Sequence, residues 1–403
     1  MNILYFIPSL SQTGGGIRQY AIAMLNIIAK DISNRYYILH LSEDEEALKI
    51  LEINKNLIVI PKSIAKERRL EKWITVTQKT FNIILEYYNR TSKRISVYSY
   101  VDRLCRKYNI DLVYSPFQIA PYTSRKIIFT LHDVQELHFP EFFSPSERFT
   151  RAFSFLDSLK RADSVVVSYE HIKEDILRFF PYLRQEQIHV CLLDMTNIWI
   201  ERFIDEPGKE KKDENKLIKP FEDFDYLLYP ANAWPHKNHI RLMEAISMLM
   251  KNHGLKVNLI CTGATEHRHF GKIKEKIKEL GIHEQVDFLG IVSEETLYYL
   301  YKKCRGVVIP TLYEAGSFPL VESILLSIPV ICSNVTSLPD TIGSEEFVFD
   351  PRDTEDISRR IFQLWNNEEY RQRCLSICSI AAAKLKGNDA LKKIQDAILS
   401  LQN

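Results

Sequence analysis

The sequence predicts an α/β protein with two doubly wound, parallel-sheet domains that face one another across a cleft. The first observation is length, because 403 residues exceed what one hydrophobic core usually supports, and a hydrophobic fraction of 45% is ample for two cores. The second is an alternation of short apolar runs with amphipathic segments, which is typical of parallel strands joined by crossover helices. The third is a charge-rich segment, EPGKEKKDENKLIKP (206–220), which interrupts this alternation and predicts a linker.

The apolar runs before the linker predict a first parallel sheet. Amphipathic stretches lie between them, and we expect helices at 17–30 and at 146–161. The seven candidate strands are rich in β-branched and aromatic residues, and they cover residues 2–8, 36–41, 56–60, 111–115, 126–131, 164–168 and 188–193.

The alternation restarts after the linker and predicts a second parallel sheet. Its six candidate strands cover residues 226–230, 256–262, 286–290, 306–310, 329–333 and 347–350. A further amphipathic helix is expected at 388–403. The predicted domains are therefore 1–205 on the acceptor side, the linker 206–220, 221–375 on the nucleotide side, and C-terminal helices in 376–403. Ligands of such open sheets bind outside the carboxyl ends of the strands.

Composition narrows the class of protein. The formal net charge is +1, so no overall field favours nucleic acid, and we expect no nucleic-acid partner. The seven cysteines form no CxxC pair, which favours reduced thiols in a cytoplasm. The N-terminal run MNILYFIPSL lacks a preceding basic region and reads as a buried strand rather than a signal peptide. No apolar run approaches the ~20 residues that a membrane-spanning helix needs.

One segment of the N-terminal half is strongly basic. Residues 62–107 contain twelve Lys or Arg against four Asp or Glu, with aromatic side chains interleaved. Such a patch predicts peripheral contact with an anionic membrane, on the inner face of the bilayer. A solvated helix face is the alternative.

The segment YEAGSFPLVES (313–323) follows the candidate strand at 306–310 and holds two glutamates. Pro319 suits the first turn of a helix, which places Glu322 about one turn inside it, where a side chain tilts back toward the loop. Its carboxylate is suited to paired hydroxyls such as those of a ribose, while Glu314 can accept from sugar hydroxyls. The N–H groups of Ser317 and Phe318 are expected to face the ligand. Two unrelated surface glutamates are the alternative.

The segment ANAWPHKNH (231–239) follows the first strand after the linker and precedes a helix. Lys237 would add a full positive charge where helix N–H groups already favour an anion, so a diphosphate is the expected ligand. Simple solvation is the alternative for a lone lysine. His236 and His239 lack a third ligand, so capping and packing are favoured over a metal site.

Three features complete the candidate residues. Gly14, Gly15 and Gly16 precede a helix after the first strand, which suits close approach of a ligand, although their spacing is not that of a dinucleotide or P-loop motif. His132 directly follows the candidate strand at 126–131 and is expected to point toward the ligand edge, with a packed histidine as the alternative. Asp223 and Asp225 form a DxD pair that reads better as a solvated turn than as a metal site.

Taken together, EAGSFPLVE, YPANAWPHKNH, GGGIRQY and HDVQELHFPEFF resemble the motifs of the retaining GT-B glycosyltransferases of family four, the glycosyl transferases group 1, in the family's order and over nearly the whole chain. The resemblance implies two Rossmann-like domains, a donor held mainly by the second domain, no metal, and a last helix that returns to the first domain.

The resemblance also implies roles for single residues. Lys237 looks like the phosphate-binding lysine, Glu322 like the ribose-binding glutamate, and Glu314 like the glutamate beside the donor sugar, with Gly316, Ser317 and Phe318 between them. Gly15 and Gly16 resemble the loop near the diphosphate and the acceptor, and His132 resembles the histidine near the reacting sugar. His132, Glu314 and Lys237 are thus the expected catalytic residues.

The sequence departs from the family pattern at two places. Many members carry an arginine five or six residues before the lysine, where this chain has Asn232 and Ala231, so compensation of the phosphate charge is expected to be weaker or to come from elsewhere. Many members also read Glu-Gly-Phe-Gly where this chain has Glu-Ala-Gly-Ser at 314–317, which predicts a different fit around the sugar.

The implied activity is transfer of a hexose from a nucleoside diphosphate sugar, without a cofactor or metal, to a glycan or lipid-linked acceptor of a bacterial surface polysaccharide. The block Trp-Pro-His-Lys-Asn-His most resembles mannose-transferring members, so GDP-mannose is the expected donor. Two alternatives stay open: a nucleotide-sugar epimerase of similar architecture, and a catalytically silent GT-B subunit that binds a partner enzyme.

Overall fold

The structure is a computed structural model that describes residues 1–8, 15–40, 57–60, 99–192, 200, 221, 224–386 and 389–402. The predicted linker and most of the basic segment lie outside these residues, as do Gly14 and Asp223. The chain divides into two compact units. The first comprises Met1–Leu193 with Asp389–Asn403, and the second comprises Asp194–Asn388.

The first unit is built on a seven-stranded sheet in the order β3-β2-β1-β4-β5-β6-β7, and every strand pair is parallel. The inner strand β1 pairs on both sides, with Ile3 opposite Tyr36 on one neighbour and Leu112 on the other. The strands are β1 (Asn2–Ile7), β2 (Arg35–His40), β3 (Leu57–Val59), β4 (Leu112–Ser115), β5 (Lys126–Thr130), β6 (Ser164–Val167) and β7 (Ile188–Val190).

Helices follow these strands as crossovers. The longest in this group begins at a capping box, in which the Ser144 hydroxyl accepts from the Glu147 N–H and the Glu147 carboxylate accepts from the Ser144 N–H, with Pro145 in the first turn. The described helices are α1 (Gly15–Ile28), α2 (Tyr100–Lys107), α3 (Gln135–His138), α4 (Pro145–Arg161) and α5 (Glu170–Phe179).

The second unit is built on a six-stranded parallel sheet in the order β10-β9-β8-β11-β12-β13. Its two central strands, β8 and β11, are apolar and buried except at Pro230, as parallel strands covered on both faces are expected to be. The strands are β8 (Leu227–Pro230), β9 (Leu259–Thr262), β10 (Val286–Phe288), β11 (Gly306–Ile309), β12 (Val330–Ser333) and β13 (Val348–Phe349).

The helices of the second unit include several with clear end signals. Asp353 caps the first turn of one helix through two backbone N–H groups, and Gly254 and Gly281 end two others in the left-handed conformation. The helices are α6 (His239–His253), α7 (His269–Leu280), α8 (Glu294–Lys303), α9 (Phe318–Leu325), α10 (Leu338–Ile342), α11 (Thr354–Asn366) and α12 (Glu368–Lys386).

One more helix, α13 (Ala390–Leu399), belongs to the first unit and packs against α1 and β7. Ile394, Ala397 and Ile398 are buried on its inner face. The Gln395 side chain donates to Asp31 Oδ1 at 2.9 Å. The chain therefore builds the first unit, continues into the second, and returns.

The two sheets share one topology, since β8 to β13 repeat the order of β1 to β6. In both, the order reverses beside the first strand, between β1 and β4 and between β8 and β11. Such switch points are where doubly wound sheets bind ligands. The predicted α/β class with two Rossmann-like domains is confirmed.

Two further observations concern the whole described chain. Among the described residues, no helix is long and apolar enough to cross a membrane. All seven cysteines are free thiols, and six of them are buried, as their positions in apolar segments led us to expect.

Candidate active site

Lys237 and Glu314 form an ion pair at the switch point of the second sheet. Lys237 lies in a short 3-10 turn after β8, and Glu314 lies in the loop after β11, so their neighbouring strands deliver both residues to one edge. Lys237 Nζ donates to Glu314 Oε1 at 2.5 Å. The two side chains are 15% and 9% exposed, so the pair is largely shielded from water. The sequence predicted both residues at the ligand edge but did not predict their contact.

The backbone around Lys237 is fixed to neighbouring segments by hydrogen bonds. The Tyr229 hydroxyl donates to the Lys237 carbonyl at 2.7 Å. Beyond the lysine, Asn238 adopts the left-handed conformation that asparagine tolerates, and its amide donates to the carbonyls of Pro310 at 2.9 Å and Pro351 at 2.8 Å. The Leu312 N–H donates to the carbonyl of His236 at 2.7 Å. The turn that carries Lys237 is therefore held against the loop that carries Glu314.

The start of α9 presents backbone donors. Among the described residues, the N–H groups of Gly316, Ser317 and Phe318 make no hydrogen bond. The Ser317 hydroxyl is buried and also has no partner. Three unpaired N–H groups at a helix start suit an anion or a hydroxyl-rich group. Contact of the Ser317 and Phe318 N–H groups with a ligand stays a prediction.

Glu322 is more deeply buried than its predicted role suggests. It lies within the eight-residue helix α9 and is 2% exposed. Its Oε2 accepts a 2.7 Å hydrogen bond from the hydroxyl of Tyr301, a fully buried residue of α8. Burial, together with the nearby carboxylate, raises the pKa of Tyr301, which keeps its proton for this bond. Contact of Glu322 with a ribose stays a prediction.

His236 and His239 serve packing. His239 is fully buried, and its ring lies 4.7 Å from the ring of Tyr229 and 5.8 Å from that of Phe288. Burial lowers its pKa to about 3. His236 lies against Trp234, with ring centroids 5.6 Å apart. No group of three His, Cys, Asp or Glu side chains in the described part of the chain is arranged to hold a metal ion.

Two residues of the second unit for which the sequence predicted no contact have structural partners. Asn232, where relatives of the resembled family carry an arginine, accepts the Ala264 N–H at 2.7 Å through Oδ1 and so joins the loops after β8 and β9. Asp225, which we read as part of a solvated turn, is exposed but pairs with Arg305 at 2.6 Å. The turn interpretation therefore missed an ion pair.

In the first unit, His132 follows β5 and is neutral near pH 7. Burial lowers its pKa to about 4. Its Nε2 lies 3.1 Å from the carbonyl oxygen of Pro116. Because a carbonyl only accepts, Nε2 carries the proton and Nδ1 is left as an acceptor. The structure thus gives His132 a defined tautomer that the sequence could not predict.

The glycine segment leads into the same edge of the first sheet. Gly15 and Gly16 are the first two residues of α1. This helix carries Tyr20, whose ring meets the His132 ring edge-on at 4.5 Å and whose hydroxyl lies 3.4 Å from Thr130 Oγ1. The helix that the glycines begin therefore packs directly on His132.

Sequence reasoning missed Arg151 of α4. Its Nη2 donates to Asp133 Oδ1 at 2.5 Å, and its Nε donates to Glu136 Oε2 at 2.8 Å. The guanidinium also lies over the rings of Phe143 and Phe155, at 5.2 and 5.1 Å. The sequence did contain a signal for this arginine. Asp133 and Glu136 lie just after His132, and two buried carboxylates need a cation nearby.

Comparison with known proteins adds three findings. Residues 210–376 match the family Glycosyl transferases group 1. The O-antigen chain mannosyltransferase B of Escherichia coli is 27% identical over 268 residues, which cover 66% of this chain and 68% of that protein. The serotype-specific mannosyltransferase WbdA of Escherichia coli is 23% identical over 216 residues, which cover 53% of this chain and only 26% of that protein.

A solved structure extends the likeness to the whole fold. HepE of Anabaena, crystallised in complex with UDP and glucose, superposes with a TM-score of 0.66, at 16% identity and over 100% of this chain and 99% of that chain. The matched family, its mannosyltransferase relatives and this shared architecture agree with the motifs and the two sheets. The chain is a hexosyltransferase of GT-B fold, and its residues 210–376 match the glycosyl transferases group 1.

Proposed function

We propose that the protein transfers a hexose from a nucleoside diphosphate sugar to a hydroxyl of a glycan or lipid-linked acceptor, with retention at the anomeric carbon, in bacterial surface polysaccharide synthesis. The observation that carries the proposal is the Lys237–Glu314 pair at the switch point of the second sheet, beside the unpaired N–H groups at 316–318. This edge combines a cation, backbone donors and a carboxylate, which are the groups that a diphosphate and a sugar need.

The chemistry requires stabilisation of the leaving diphosphate. Negative charge grows on it as the glycosidic bond breaks, and Lys237 together with the N–H groups at the start of α9 would bind that charge without a metal. When Lys237 turns to the phosphate, Glu314 is free to accept from a sugar hydroxyl. Glu322, held by Tyr301, would bind the ribose.

For the donor sugar we propose mannose, carried as GDP-mannose. Two relatives are named as mannosyltransferases, which supports the sugar. The guanine base of the proposed donor has less support than the mannose, because the HepE structure contains UDP and glucose. His132 of the first unit, with an Nδ1 acceptor, and the loop at Gly15 and Gly16 are proposed to contact the sugar and diphosphate.

Calorimetry with GDP, UDP, dTDP and ADP sugars tests the donor. We expect GDP-mannose to bind and Lys237→Met to weaken binding, while Lys251→Met, a change of an exposed lysine on α6, leaves it intact. NMR of the product formed from the bound donor and a glycan acceptor then reads the anomeric configuration. Absence of nucleotide binding would favour a silent subunit, and release of free sugar without an acceptor would favour an epimerase.

We also propose a cytoplasmic location with peripheral attachment to the membrane. The support is the basic segment 62–107, of which the structure describes residues 99–107. Cosedimentation with vesicles of phosphatidylglycerol and phosphatidylcholine should be strong at low salt and weak at 0.5 M salt, because the Debye length shortens from about 30 Å at 0.01 M toward a few ångströms. Equal binding to pure phosphatidylcholine vesicles would contradict the electrostatic basis.

A further inference from the structure

Three of the buried polar atoms of the first unit that have no hydrogen-bond partner lie shortly after β4 and β5, one in the loop after β4 and two at the start of α3. They are the amide nitrogens of Gln118 and Gln135 and the Oε1 atom of Glu136. Gln135 is 7% exposed and Glu136 is 3% exposed. Leaving a buried polar group without a hydrogen-bond partner destabilises the folded protein. Such groups are expected where a ligand supplies the missing partners.

The segments that follow β4 and β5 are joined at the ligand edge of the sheet. β4 and β5 pair in parallel, with Ser115 opposite Phe129, so the chain leaves both at the same edge. The His132 ring then bonds the Pro116 carbonyl across the loops at 3.1 Å. Gln118 lies two residues beyond Pro116, and Gln135 lies three beyond His132. β4 also borders the switch point with β1, where ligands of doubly wound sheets bind.

Glu136 is held so that one oxygen stays available. Its Oε2 accepts from Arg151 Nε at 2.8 Å, while Arg151 Nη2 is taken by Asp133. The guanidinium lies over Phe143 and Phe155, which restrains it further. Oε1 therefore has a fixed position and no internal donor.

The charge at this place selects the class of ligand. Asp133, Glu136 and Arg151 sum to one negative charge, and the arginine is already bound by both carboxylates. A phosphate would be repelled. A neutral sugar fits, because its hydroxyl oxygens accept from the two amides and one hydroxyl donates to the free carboxylate oxygen.

Resting on the proposed function, we infer that Gln118, Gln135 and Glu136 bind the acceptor, and that the end of the acceptor held here is a neutral, hydroxyl-rich sugar rather than the phosphate of a carrier lipid. The inference concerns the first unit alone. Gln118 lies outside the motifs that carry the family resemblance, whereas Gln135 and Glu136 lie within HDVQELHFPEFF but were given no role there.

The test compares neutral and phosphorylated probes on the full chain. Saturation-transfer NMR would measure binding of the methyl α-glycosides of mannose, glucose and galactose, and of mannose 6-phosphate. We expect at least one neutral glycoside to bind, and to bind at least tenfold more tightly than the phosphate. Gln118→Leu and Gln135→Leu should each weaken that binding about tenfold, the change that loss of a well-formed hydrogen bond, about 1.4 kcal/mol, would give.

Controls separate a ligand role from a structural one. The same change at the exposed Gln185 of this unit should alter nothing. Because the two buried amides lack partners, their replacement should leave the melting temperature unchanged or raise it, whereas a structural role would lower it. Tighter binding of mannose 6-phosphate, no binding of any neutral glycoside, or unaltered affinity in both variants would each overturn the inference.

Nucleotide binding distinguishes this failure from failure of the proposed function. If nucleoside diphosphates bind the wild type and both glutamine variants equally, the donor site is intact. The measured affinities for the glycosides then test the inference independently of the proposed function. If no nucleotide binds the wild type, the proposed function fails and the inference, which rests on it, falls with it.

Discussion

At the scale of single residues, the Lys237–Glu314 pair means that the cation proposed for the diphosphate already has a partner inside the protein. The two side chains are mostly shielded from water, so each depends on the other for compensation of its charge. Phosphate binding must exchange one anionic partner of Lys237 for another. The position of the missing arginine, Asn232, is committed to the Ala264 N–H and supplies no second charge.

Removing this single charge should therefore be costly. We expect Lys237→Met to lower kcat/KM by roughly 10²- to 10³-fold, the usual loss for one transition-state donor. Glu314→Gln should lower it less, because the amide oxygen still accepts from sugar hydroxyls. Steady-state kinetics of both variants and of the double variant form a thermodynamic cycle. If the losses of activation free energy in the two single variants add up to the loss in the double variant, the two side chains are not functionally coupled.

The neutral state of His132 predicts a pH dependence of stability. Its pKa in the folded protein, about 4, lies below the ordinary value of 6.5, so the unfolded chain takes up the proton first as the pH falls. The free energy of unfolding should therefore decrease between about pH 6.5 and 4, by roughly 3 kcal/mol at ~1.4 kcal/mol per pKa unit.

Urea denaturation of His132→Gln measures this effect. Glutamine can still donate to the Pro116 carbonyl but does not titrate, so the variant should lose less stability than the wild type between those pH values. His283→Gln, at an exposed position of the second unit, is the matched control. Parallel pH profiles for wild type and His132→Gln would show that His132 does not contribute.

At the scale of secondary-structure elements, the Tyr301 hydroxyl links α8 to α9 by way of Glu322. In Tyr301→Phe the buried carboxylate loses a donor, and we expect a loss of about 1–3 kcal/mol in stability. Because Glu322 is then less firmly oriented, KM for the donor should rise while kcat changes little. Calorimetry of nucleotide binding and steady-state kinetics check the two effects.

Tyr299→Phe on the same helix is the control for this prediction. Its ring, and the contact of Lys303 over that ring at 5.7 Å, are both retained. A loss of stability in Tyr301→Phe without any change in KM for the donor would mean that the hydrogen bond is structural and does not position Glu322 for the ligand.

The elements also show what the sequence could and could not predict. Twelve of the thirteen described strands lie within the predicted runs, and β2 begins one residue before its run, because short β-branched and aromatic segments between amphipathic stretches have few other stable arrangements. Glu314 and His132 were assigned to strand ends, and Lys237 to the start of a helix, by the same reasoning. Their partners were not, because Glu314, Pro116 and Tyr20 reach them through tertiary folding. The periodicity of apolar residues predicts helices and strands but not contacts between residues far apart in the chain, such as Lys237 with Glu314 or Tyr20 with His132.

At the scale of the whole molecule, α13 completes the first unit although it follows the second in the chain. Ile394→Ala should destabilise the first unit by about 2–5 kcal/mol, the usual cost of truncating a buried isoleucine. Hydrogen exchange should report the loss in α1 and β7, against which the helix packs, while exchange in β8 to β12 is unchanged. Lys392→Ala, at an exposed position of α13, should have little effect.

If Ile394→Ala instead reduced the protection from hydrogen exchange equally in both units, the two units would unfold together. Nucleoside diphosphate offers an independent check, because a ligand held by the second unit should raise the transition of that unit alone in scanning calorimetry.

The returning helix has a consequence for biosynthesis. Domains usually fold in the order in which the ribosome delivers them, the N-terminal one first. Here every residue of the second unit has been translated before residues 389–402, which the first unit needs for its packing. The unit that is begun first is thus finished last, and the surface of α1 and β7 that α13 later covers must stay soluble during the synthesis of about two hundred further residues.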